Sequence, residues 1–145
     1  MKNLVILIAI ISFGSILMTY QIDFDKMAQE KQRLKFAADE ALASASLSID
    51  LWEYANGYLI YDDTKVKNKV KEMMNKNFDK KNFTYKLIIS DEKGTNRNYG
   101  DGKQDIIDNL SPYLLLKINI GKPNFRCIKC YEDIYVVSAY ENQGF

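Results

Sequence analysis

The feature that most constrains this chain is an uncharged apolar run, LVILIAIISFGSILM (Leu4–Met18), followed by a long stretch without a helix breaker. Within the run only Ser12, Gly14 and Ser15 are not strongly apolar. Carried on through Thr19, Tyr20 and Gln21 to Ile22, it would cover roughly 28 Å as a helix, close to the hydrocarbon thickness of a bilayer. Neither proline nor glycine occurs between Ser15 and Asn56. One continuous helix to about residue 49 is therefore expected. Three readings of the run are open: an uncleaved membrane anchor, a cleaved signal segment, or a buried core helix. The first is the working expectation. The sequence MTYQIDF offers no small-x-small cleavage site, and a core helix of this length normally keeps a polar face.

This divides the chain into an anchor over 1–22 and an extracytoplasmic domain over 23–145. Lys2 and the amino group precede the run, whereas Asp23 and Asp25 open the far flank. The positive-inside bias then places the C-terminal domain outside the membrane. Expected partners are membrane lipid and further copies or related subunits.

The outer half of the expected helix carries a seam at Met27, Leu34, Ala38, Ala41 and Ala45, spaced at about 3.5 residues per turn. Lys31 interrupts it, and Phe24, Ala28, Phe36, Ala37 and Leu42 widen it. Ala37, Ala38, Ala41 and Ala45 are candidates for close packing. Small side chains let a neighbour approach the helix backbone, either a second subunit or the domain's own sheet.

Beyond the rod, Asn56-Gly57 reads as a turn and Tyr58–Tyr61 as a short strand. Asp62 and Asp63 are capping residues for a helix over about 64–77. That helix presents Val66, Val70, Met73 and Met74 on one face. Lys65, Lys67, Lys69, Lys71 and Lys76 crowd the rest. Lys65, Lys69 and Lys76 are possible contacts to a polyanion such as DNA, against the plainer reading of a solvated face. Residues 82–90, 112–120 and 131–141 have strand composition, while 91–105 reads as a polar loop. The connections are too short for most parallel crossovers, so the expected fold class is α+β: a long N-terminal helix packed on a small antiparallel sheet.

Little in the sequence carries chemistry. Charges balance, with 20 Lys+Arg against 19 Asp+Glu, and histidine is absent. A general electrostatic case for nucleic acid, the commonest general base and the commonest metal ligand are thereby removed. Cys127-Ile-Lys-Cys130 falls short of a four-ligand zinc site unless subunits share it. A redox pair, free thiols and a disulfide across a tight turn stay open, the last leading if the domain lies outside the cell. Residues 91–105 lack the ligand spacing of an EF-hand loop, and Asn82-Phe83-Thr84 forms a glycosylation triplet. No enzyme activity and no cofactor are expected.

An apolar N-terminal span, an alanine-rich continuation and an antiparallel sheet behind it resemble the type IV pilins and pseudopilins, most of all the TadE-like group. The resemblance covers residues 1–50 as a pattern and the remainder as a general layout. It implies a structural, non-enzymatic subunit of a bacterial surface filament or secretion apparatus. The sequence departs from pilins in that no glycine precedes the run, Gly14 lies inside it, and no glutamate occurs before Glu30. Two further hypotheses stand beside this one: a membrane-tethered binding module for a ligand or DNA, and an accessory subunit of a membrane complex.

Overall fold

The structure is a computed structural model that describes residues 2–78, 83–93, 96–100, 112–122 and 133–141. Helix α1 runs unbroken over Lys2–Ala45, 44 residues and thus about 66 Å long. It is followed by a short helix α2 (Leu51–Ala55) and by α3 (Asp63–Asn77). Strands β1 (Thr84–Ser90), β2 (Asn96–Gly100), β3 (Tyr113–Asn119) and β4 (Tyr135–Glu141) complete the order. They form one four-stranded sheet in the order β2-β1-β3-β4, with every pairing antiparallel. The α+β architecture expected from the sequence is the one observed.

Helix α1 changes character along its length. Its first half is long and apolar enough to cross a membrane, and none of that window is buried against the protein. This overturns the core-helix reading. Burial begins at Asp23, 1% exposed, immediately after the apolar stretch. It continues through Leu34, Ala37, Ala38, Ala41, Leu42 and Ala45, with Met27 and Glu30 half-buried on the same face. The buried seam therefore includes two acidic positions that hydropathy alone assigns to solvent. Phe24, Ala28 and Phe36, which the sequence suggested would widen the stripe, are exposed.

The sheet turns Leu87 and Ile89 of β1, Leu114, Leu116 and Ile118 of β3, and half-buried Val136 of β4 toward the helices. Helix α1 lies over β3 and β4, and α3 lies beside α1. Lys35 and Asp39 of α1 pair at 2.8 Å, the Lys35 ammonium also donates to the Val137 carbonyl at 3.2 Å, and the Ser138 hydroxyl donates to Asp39. Burial pushes the Asp39 carboxyl up, but Lys35 and Ser138 outweigh it and hold the group below its ordinary range.

Helix α3 starts where Asp62 accepts hydrogen bonds from the Thr64 and Lys65 backbone N–H groups, both at 3.1 Å. It buries Val66, Val70 and Met74 at a spacing of four, the stripe by which a helix meets a core. Phe78 closes its end through an N–H to the Met74 carbonyl and packs edge-on to Phe83 with centroids 6.3 Å apart.

Three expectations need correction. Helix α1 stops at Ala45 rather than near residue 49, since Asp50 caps α2 through the Trp52 and Glu53 N–H groups. Residues 58–61 are not a strand of the sheet. Their backbone is used in pairing with 48–50, where Asp50 N–H meets the Ile60 carbonyl at 2.8 Å and Asp62 N–H meets the Ser48 carbonyl at 2.9 Å. The supposed loop 91–105 contains β2. This edge strand is polar because its inward side chains, Arg97 and Tyr99, meet carboxylates rather than the apolar core.

Candidate interaction surface

Three consecutive residues at the end of β1 hold the segment between α1 and α3 in place. Asp91 accepts from the Tyr61 N–H at 3.0 Å and pairs with Arg97. Glu92 accepts from the Leu59 N–H at 2.8 Å, and its own N–H meets the Leu59 carbonyl at 3.3 Å. Lys93 pairs with Glu53 of α2 at 3.0 Å and sits 4.4 Å from the centroid of the Tyr58 ring. Arg97 also reaches Asp63 at 3.1 Å, and the Tyr99 hydroxyl donates to Asp63. Lys67 caps the Tyr99 ring at 3.4 Å. The result is a clasp between the first strand pair, the start of α3 and the α1–α3 connection.

The electrostatics of the clasp follow from burial. Asp91, with a side chain 2% exposed, has its carboxyl raised above the ordinary 3.8 by desolvation, which the Tyr61 N–H and Arg97 only partly offset. The Tyr99 phenol is pushed up to about 12, first by burial and then by its hydrogen bond to Asp63. Burial thus disfavours the charged form of both groups.

The clasp displays rather than hides what it holds. None of the residues of α2 is buried. Leu51 is 79% and Trp52 77% exposed, and Tyr54 and Tyr58 are exposed beside them. Leu47, just past α1, is 82% exposed. Glu53, the half-buried member of α2, is the one that faces Lys93. The single tryptophan of the chain therefore stands in solvent at the far end of α1 from the apolar span. Large exposed apolar side chains this close in sequence make the stretch a candidate interaction site.

The sequence-derived candidates fall elsewhere. Ala37, Ala38, Ala41 and Ala45 are all buried in this chain's own core, together with Val66, Val70 and Met74 of α3 and the inward sheet residues. Their surface is taken up within the domain, the intradomain alternative of the two readings, and is not open to a second subunit. Of the lysines, Lys65 pairs with Asp62 at 3.0 Å and Lys69 with Glu72 at 3.1 Å, while Lys76 is exposed in the last turn of α3. Cys127, Cys130 and Asn82 lie outside the described residues. Among the described residues, no three or more Cys, Asp or Glu side chains gather where they could hold a metal ion.

The apolar tip was missed because its residues read as ordinary local structure. The expected rod ended near residue 49, and the stretch from Leu51 to Tyr54, between it and the Asn56-Gly57 turn, was given no structure of its own. The available signal was Ser48-Ile49-Asp50, where an aspartate precedes a Leu-Trp pair and starts a new helix. Comparison with protein-family models, with curated proteins and with solved structures finds no match.

Proposed function

We propose that this chain is a membrane-anchored, non-enzymatic structural subunit of pilin-like or pseudopilin-like build, serving a bacterial surface filament or secretion apparatus. The observation that supports it is the continuity of α1. One helix passes without a break from an unburied apolar half into the core of a small α+β domain. A linker between anchor and domain would let the domain swivel and search. An unbroken helix fixes the domain's attitude to the bilayer instead, as an ordered assembly requires. In this reading the C-terminal domain lies outside the membrane and the apolar half of α1 stays in lipid until assembly.

Negative-stain microscopy of sheared surface material, combined with the mass of the mature chain, tests this. Filaments that vanish on deletion of the gene support the reading. An intact chain retained in membranes without any filament removes the filament role, and a freely soluble chain that begins near Gln21 removes the anchor.

A further inference from the structure

We propose that the exposed tip formed by Leu47, Leu51, Trp52 and Tyr54 is the surface through which two copies of this chain pair side by side in one membrane. This rests on the anchored reading above and goes beyond it by naming the surface and its occupant.

The first argument is cost. Helix α2 has no buried face of its own, yet its outward positions are leucine, tryptophan and tyrosine rather than charges. With aromatic rings at about 150–250 Å² each, the exposed part of this cluster, Tyr58 included, comes to roughly 600 Å². A standard interface buries about 800 Å² per partner, so the cluster and its rim are of the right size.

The second argument is charge. The cluster itself carries no free charge. The Asp50 carboxylate is used by the α2 N–H groups at 3.0 and 3.4 Å. At the rim stand one acid and one base, Glu53 and Lys93, 3.0 Å apart and both partly exposed. A two-fold axis beside them sets Glu53 of one copy against Lys93 of the other and the reverse. The rim is thus self-complementary, as an isologous contact requires.

The third argument is geometry. From Ile22 to Ala45 an upright α1 lifts the tip about 35 Å above the anchoring bilayer, out of reach of its lipids. Copies spanning the same membrane in the same direction carry their tips at one height and in one orientation. Confinement to the membrane raises their effective concentration without any new contact. A symmetry axis along the membrane normal is then the natural one.

The test uses the full-length chain in its own membranes, with Leu51→p-benzoylphenylalanine as a photocrosslinker. Irradiation is expected to give an adduct of twice the 16.8 kDa chain mass. Trp52→Ala should lower its yield by about fivefold or more, as expected for a central aromatic anchor. A second pair of variants guards against misfolding. Chains with Glu53→Lys should crosslink poorly to themselves but recover the adduct with differently tagged chains carrying Lys93→Glu. Monomer only, an adduct to lipid only, or an adduct to a different protein only would each overturn the proposal. Alkaline extraction of the same membranes reads the anchor separately. A chain that is retained but monomeric overturns the pairing alone, and a chain that is released and monomeric overturns both.

Discussion

Replacing Asp91 separates two roles of one buried carboxylate. Its Oδ1 satisfies the Tyr61 N–H, and its charge meets Arg97. Asp91→Asn keeps an acceptor of the same shape and removes a charge that burial disfavours, so its net effect should stay within about 1 kcal/mol. Asp91→Ala leaves a buried N–H without a partner, which costs about 1–3 kcal/mol. Arg97 is about a third exposed and keeps Asp63, which holds that part of the loss below about 1 kcal/mol. The alanine variant should therefore lose about 2–3 kcal/mol locally, or roughly 30- to 150-fold in the opening equilibrium. Amide hydrogen exchange read by mass spectrometry over residues 58–61, on the full chain in detergent micelles, measures this directly. Protection of Tyr61 should fall by that factor in Asp91→Ala and by less than about fivefold in Asp91→Asn. The pH dependence has a definite sign. The folded carboxyl is raised above 3.8, so its contribution is fully present below 3.8 and is lost as the pH rises through the raised value. Across that window the wild type should lose protection relative to Asp91→Asn. Equal protection in the two variants, or a wild type that gains on the asparagine variant with rising pH, would refute the clasp.

Three further outcomes are expected. Asp62→Ala should destabilise α3 by about 1 kcal/mol at neutral pH in thermal unfolding, whereas Asp62→Asn keeps the cap. The Lys65 backbone N–H, followed by the Lys65 side chain, holds the Asp62 carboxyl below 3.8, so its ionic contribution is present above that value and the gap should narrow as the pH falls through the depressed one. Ala41→Leu should cost about 1–3 kcal/mol by overpacking, while Ala43→Leu on the exposed side changes little; an Ala41 variant of full stability would place that face outside the core. Gly100→Ala should cost about 2–3 kcal/mol and loosen β2, because its φ is +106° and a Cβ would stand 2.0 Å from the Tyr85 carbonyl oxygen; unchanged exchange at Tyr99 would contradict this.

How much could be read in advance depended on whether side chains act through hydropathy or through specific polar partners. The rod, α3 and strands β1, β3 and β4 announce themselves by breaker-free length, a four-residue apolar stripe and β-branched or leucine-rich runs. Strand β2 does not, because Asn96-Arg97-Asn98-Tyr99-Gly100 contains no aliphatic residue, and its place is set by the carboxylates of Asp63 and Asp91. Those carboxylates come from two distant segments, and no local pattern links them. Asp23 and Glu30 were hidden for the same reason: they lie on the buried face at helical spacing but score as surface residues. The tip was visible as residues but not as a surface. Whether Leu51 and Trp52 continue a rod or stand on a separate turn is decided by where α1 ends.

With α1 anchored as proposed, its continuity would make the protein a lever. Single-pass helices lean from the bilayer normal by about 20° on average. Because α1 carries the domain without a joint, a lean of that size would swing Trp52 sideways by about 12 Å, taking roughly 35 Å as the arm. In the anchored reading, that lean would govern how closely the tips of neighbouring copies approach.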